Sequence, residues 1–168
     1  MRPAEVRTFF EYHYWAFEHI WECIMQLTDA QFAQSIRYST GSIRGQVLHT
    51  MSATQRWIER FEGRPLTAHP NFADYPTRQS ARSAWNAGRT QVRAYLLTLS
   101  EEKLDRVVHW ELPNRNLSAD QPLWQVLLHV ANHTTDHRAQ ILALLNQHFN
   151  IQTPEQDMLF YLLKTNQE

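Results

Sequence analysis

The sequence predicts an all-α fold: a four-helix bundle with a short extra C-terminal helix and, between helices three and four, a segment that reads as a small hairpin or an extended loop. Three observations carry this. Apolar residues recur at spacings of three and four over four long stretches. Only four glycines occur in 168 residues, too few for a turn-dense β fold or for glycine-rich phosphate loops. Apolar residues make up 43% of the chain and include six Trp, six Tyr and eight Phe, enough to enclose a core without staples. No repeat or long linker divides the chain, so residues 1–168 read as one domain.

The first helix covers residues 3–27. Pro3 suits a first turn, and Val6, Phe9, Phe10, Tyr14, Phe17, Ile20, Trp21, Ile24 and Leu27 follow the helical period. Thr28-Asp29 breaks the pattern. After a connector containing Ser39-Thr40-Gly41-Ser42, Ser42 caps a second helix that runs to Phe61 and stops at Gly63-Arg64-Pro65. Residues up to Pro76 read as a loop. The third helix, residues 77–99, carries Ala81, Trp85, Val92, Tyr95, Leu96 and Leu99, and residues 100–104 add a turn. Residues 107–117 are the least helical. The fourth helix opens near Pro122 and ends at Phe149. Thr153-Pro154-Glu155 then starts a short fifth helix with Met158, Leu159, Tyr161 and Leu162 on its apolar face.

Charge and cysteine content exclude several classes of function. Sixteen basic residues against seventeen acidic leave a net charge of −1, without the basic excess that nucleic-acid binding requires. The single cysteine, Cys23, excludes an internal disulfide and suits a reducing compartment. The first residues lack a secretory leader's apolar core, and no run approaches the roughly 20 apolar residues of a membrane span. The expectation is a soluble cytoplasmic protein.

The chemistry-bearing stretch is His129-Val130-Ala131-Asn132-His133-Thr134-Thr135-Asp136-His137-Arg138. Histidines four apart share a helix face about 6 Å of rise apart, so two imidazoles can converge on one ion. All three cannot, because His129 and His137 lie about 12 Å apart along the axis. Leu123, Val126, Val130, Ile141 and Leu144 define an inward arc. His137 falls near its centre, His133 within its edge and His129 at its margin. Burying two unpartnered imidazoles is unfavourable, and a shared cation solves that for both. Ordinary hydrogen-bonded core histidines are the other reading. Two catalytic patterns are absent: Thr134 stands where a metalloprotease needs glutamate, and no Glu-x-x-His pair of the di-iron bundles occurs.

With these residues in view, the chain resembles the DinB family, damage-inducible metal-binding four-helix bundles related to bacterial thiol S-transferases. The resemblance rests on Tyr12-His13-Tyr14-Trp15-Ala16, on Val47-Leu48-His49 followed by Trp57, on Asn132-His133 with His137-Arg138-Ala139-Gln140, and on Thr153-Pro154 with Asp157 and Tyr161. The His-x-x-x-His-Arg-x-Gln segment is the most specific part. Ala139 departs from the family's usual glycine, and alanine is the better helix former.

The resemblance implies one divalent metal, zinc or nickel first and iron, manganese or copper after them, held by His49, His133 and His137. Periodicity alone selects the last two. On helix two, Val47, Met51, Thr54, Ile58 and Phe61 form the apolar stripe and His49 points away from it. Either that helix is packed on two sides, with small Gly45, Ser52 and Ala53 allowing close approach, or His49 is a surface residue. His13, His19 and His109 are the alternative ligands.

Three neutral imidazoles leave an open coordination position, the catalytic pattern. The resemblance implies a low-molecular-weight thiol activated for attack on an electrophile, and a homodimer. A hydrolase using metal-bound water, and a non-catalytic metal- or ligand-binding stress protein, are the alternatives. Asn132, Arg138 and Gln140 are candidates for orienting ligands or substrate, with helix surface as their other reading. Trp57, Trp15 and Tyr12 line an apolar pocket or belong to the aromatic core. Cys23 reads as a small buried hydrophobe.

Overall fold

A computed structural model describes residues 1–165; residues 166–168 of the expected domain lie outside the described residues. The order of elements is α1 (Pro3–Ile24), α2 (Asp29–Ala33), α3 (Ile43–Phe61), α4 (Arg78–Leu97), α5 (Glu101–Asp105), β1 (Val107–Leu112), β2 (Leu117–Pro122), α6 (Leu123–Phe149) and α7 (Met158–Thr165). The four long helices α1, α3, α4 and α6 form the bundle. α3 packs against both α4 and α6, and α1 packs against the same two helices. Among the described residues, no helix is long and apolar enough to cross a membrane.

The caps follow the sequence. Ser42 Oγ accepts from Gly45 N–H at 2.9 Å, Thr77 Oγ1 from Ser80 N–H at 3.0 Å, and Ser100 Oγ from Lys103 N–H at 3.1 Å. Each satisfies a backbone donor that a helix start leaves free. Gly45 has a steric reason: a Cβ there would stand 2.5 Å from Thr40 O.

The core is aromatic and lies between α1 and its neighbours. Phe17 and Trp21 are fully buried, and Phe17 stacks on Trp85 of α4 with ring centroids 4.1 Å apart. Around this contact Glu18 pairs with Arg82 and Arg89, and Glu11 with Arg93, tying the outer faces of α1 and α4 together. Such partly exposed pairs add at most about 1 kcal/mol each, so burial dominates.

Two local readings need correction, and of the two left open between helices three and four the hairpin is the one adopted. Thr28-Asp29 ends α1's pattern but also starts α2: Thr28 Oγ1 accepts from Gln31 N–H, and the Gln31 side chain accepts from Thr28 N–H. Residues 107–122 form a true antiparallel hairpin, with Val107 opposite Pro122 and Leu112 opposite Leu117. Its turn closes through Asn116 at φ +50°, a left-handed conformation that asparagine tolerates better than most residues. The last helix begins at Met158, not at Thr153. Gln156 is buried, its carbonyl accepts from Tyr12 Oη at 2.7 Å and its Nε2 donates to Ala16 O at 3.0 Å, so this segment is bound to α1 in a non-helical form. On α7 Leu159 is exposed rather than on a buried face; Tyr161 packs on Tyr12 and Trp15. Cys23 is buried, as expected.

His13 is buried between Phe17 and Trp85, and neither ring nitrogen has a partner among the described residues. Burial, reinforced by nearby Arg138, pushes its pKa well below the usual imidazole range. The folded state thus keeps His13 neutral where the unfolded chain binds a proton below about pH 6.5, so acid favours unfolding. Unfolding stability should therefore fall as pH drops below about 6.5, and His13→Phe should remove about 1.4 kcal/mol per pH unit from that slope. Denaturant titrations of both proteins between pH 7.5 and 4.5 check this; equal slopes contradict it.

Candidate metal centre

α3 and α6 lie side by side, and this packing brings His49 onto the two histidines of α6. One nitrogen from each of His49, His133 and His137 lies within 4.8 Å of the others. Ring centroids are 4.6 Å apart for His49 and His137, 5.4 Å for His49 and His133, and 4.5 Å for His133 and His137. His137 is buried, and the other two are half-buried. Among the described residues, no Cys, Asp, Glu or further His joins this group.

The hydrogen bonds orient His137. Gln46 is fully buried, and its Nε2 donates to Gln140 Oε1 at 2.7 Å. Its carbonyl oxygen therefore faces His137 Nδ1 at 2.6 Å, which must carry the ring proton. The lone pair of His137 is left on Nε2, only 3.2 Å from His133 Nε2. Two unprotonated nitrogens repel at that distance; a proton or a cation between them makes the approach favourable. A third imidazole, that of His49, faces the same point. Imidazole donors at this spacing suit a divalent transition metal, so three histidines in this arrangement could hold one.

The surroundings favour the neutral, ligand-competent form. Burial lowers the pKa of His49 and of His133 to about 4 in each case, with neighbouring imidazoles adding to the effect, and burial also lowers that of His137. Neutral histidine is the species a metal needs.

A cleft of about 540 Å³ opens over His49 and His133, with the buried His137 outside its lining; its size is within the range of small-molecule sites. Its walls come from the C-terminal half of α3, the loop after α3 and the turn of the hairpin, with Trp57, Arg60, Leu66, Leu112 and Arg115 among them. The Arg60 guanidinium lies 4.9 Å over the Trp57 ring. The loop is anchored where the Glu59 carboxylate accepts from Thr67 N–H at 2.8 Å and Arg56 Nη1 donates to Thr67 O.

The expected residues divide clearly. His129 is exposed at the cleft rim, edge-on to Trp57 at 5.7 Å. Gln140 reaches His137 only through Gln46. Asn132 is exposed and does not line the cleft. Tyr12 and Arg138 are buried together between α1 and α6, with Arg138 Nη2 donating to Tyr12 Oη at 2.6 Å, and neither lines the cleft; of the two readings of Tyr12, the core is the one adopted. His19 lies beside Glu22, His109 between Asp120 and Glu111, and His13 in the core, so none of them joins the cluster. Gln46 was not legible as a partner. Its only signal is its place three residues before His49. The cleft arginines Arg56 and Arg60 were overlooked too, although their i, i+4 spacing sets them on one helix face.

Comparison with known proteins agrees along the whole length. A family model described as the DinB family matches residues 1–160. "Protein DinB" of Bacillus subtilis (strain 168) is 26% identical over 164 residues, covering 95% of this chain and 94% of that protein. The crystal structure of a DinB-like protein from Bacillus cereus ATCC 10987 superimposes with a TM-score of 0.57 at 20% identity, covering 88% of this chain and 94% of that one; it supports the helical fold.

The Gln46 carbonyl is the group that fixes the His137 tautomer. Gln46→Leu should lower affinity for zinc by about 10–100-fold while leaving helix content unchanged, measured by competition with a chelating dye and by circular dichroism. Unaltered affinity would mean that His137 needs no such orientation.

Proposed function

The chain belongs to the DinB family, and from that premise we propose that it is a metal-dependent enzyme in which His49, His133 and His137 hold one divalent ion, zinc or nickel, and a low-molecular-weight thiol is activated for attack on an electrophile. The observation that carries this reading is the convergence of three imidazole nitrogens, two of them (His49 and His133) in the lining of an open cleft, with no fourth protein ligand among the described residues. Bound there, such an ion supplies a thiolate at neutral pH, since a coordinated thiol is ionised outright.

The chain's own residues do the rest. Gln46 holds the His137 proton on Nδ1 and aims Nε2 inward. Burial keeps the imidazoles neutral, so they act as donors. Trp57, Leu66 and Leu112 give a ligand in the cleft an apolar surface and exclude water from part of it. His129, exposed at the rim, is within reach of whatever enters but stays outside the ligand set. A homodimer located in the cytoplasm belongs to the same proposal and rests on the family resemblance. A closed, non-catalytic site fits less well, because it requires a fourth ligand. Hydrolysis by metal-bound water uses the same donors and is separated from thiol transfer by assay.

Elemental analysis of metal-free protein reloaded with zinc or nickel should give one ion per chain. His49→Ala, His133→Ala and His137→Ala should each lose it, and His129→Ala should keep it. Retention of the ion by His49→Ala would remove the third ligand. A panel of bacterial thiols offered with an electrophilic dye should then show transfer at least about tenfold above the His137→Ala background. Silence across the panel, with ester or amide hydrolysis in its place, would favour the water nucleophile.

A further inference from the structure

The cleft over His49 and His133 carries charge of one sign. Arg56, Arg60, Arg115, His69 and His129 line it, and no Asp or Glu does. On the opposite side of the bundle, four arginines of α4 are paired with acids: Arg78 lies against Asp29, Arg82 and Arg89 against Glu18, and Arg93 against Glu11. Among the described residues, Arg56, Arg60 and Arg115 form no such ion pair. The nearest buried carboxylate, Glu59, is taken up by Thr67 and Arg64. The chain as a whole has a net charge of −1, so a wall with three arginines and no acid stands out against a near-neutral molecule.

The arrangement of the cations limits what they fit. Arg56 and Arg60 stand one helical turn apart on α3, while Arg115 comes from the hairpin turn. Charges spread over two walls suit separated anionic groups better than one compact anion, and the planar guanidinium matches a carboxylate in two-point contact. Trp57, beneath Arg60, offers an apolar face between them.

We propose that the molecule this cleft takes is a small polycarboxylate, with at least two carboxylates shared among Arg56, Arg60 and Arg115 and its carbon skeleton against Trp57. Its identity as the thiol co-substrate rests on the function proposed above; the recognition of its carboxylates does not.

Succinate is the probe, with neutral succinamide and inorganic phosphate beside it, titrated into the full chain with and without zinc. Binding is read from backbone and indole N–H shifts in nitrogen-15 NMR spectra. Succinate should move the signals of Arg56, Trp57, Arg60 and Arg115 saturably, at least about tenfold more tightly than either comparison compound, and less tightly in high salt. Arg60→Gln and Arg115→Gln should each weaken it by about tenfold, with the rest of the spectrum preserved. Equal affinity for the three compounds, or undiminished succinate binding in both variants, would overturn the inference; tighter phosphate binding would replace the polycarboxylate with a compact anion. His49→Ala separates the two proposals. Loss of zinc with the succinate response intact leaves this inference standing, whereas zinc binding without a succinate response leaves only the metal centre.

Discussion

His133 Nε2 and His137 Nε2 lie 3.2 Å apart, a distance that calls for a proton or a cation between them, and much of this protein's architecture is arranged to keep the two rings in that position. Gln46 fixes the proton of one ring on its far nitrogen, Gln140 fixes Gln46, and the partly dry setting keeps the rings neutral. His49, from the neighbouring helix, brings a third imidazole to the same place. An arrangement of convergent, desolvated acceptors is costly when left alone and favourable around a cation. The bundle supplies rigidity for it, because α3 and α6 are both held along their length by apolar packing that does not depend on the site.

The same helix that supplies Gln46 and His49 also builds the approach to them. One turn and more further along α3, Arg56, Trp57 and Arg60 line the cleft, and Glu59 anchors the loop that forms another wall. The hairpin contributes Leu112 and Arg115, which gives the otherwise all-helical chain a reason for its two strands: their turn reaches over the open end of the bundle. Donor set, apolar wall and cationic rim are thus parts of one surface.

The helical elements were legible because each long helix, apart from α3, buries essentially one face and so displays a single period. His133 and His137 were legible for the same reason, lying on the apolar arc of α6. His49 was not. α3 is packed on two sides, against α4 and α6, so its buried residues spread around much of its circumference and a single stripe misplaces the ring that matters. Of the two arrangements that periodicity left open for this helix, packing on both sides is the one adopted. Gln46 escaped because a glutamine in a helix ordinarily reads as surface. The cationic cleft escaped because Arg56, Arg60 and Arg115 come from two segments more than fifty residues apart in part, which only tertiary folding brings together. Tyr12 and Arg138 carried the family's pattern yet serve the α1–α6 contact, and the late start of α7 accompanies long-range bonds of Gln156 to Tyr12 and Ala16 that no local propensity encodes.

X-ray absorption at the zinc edge, on zinc-loaded protein at neutral pH, examines the convergence of the three rings most directly. Three imidazole nitrogens at about 2.0–2.1 Å are expected, together with one light atom that exchanges when a thiol is added. A sphere containing fewer than three imidazoles, or one already closed by a fourth protein donor, would contradict this arrangement.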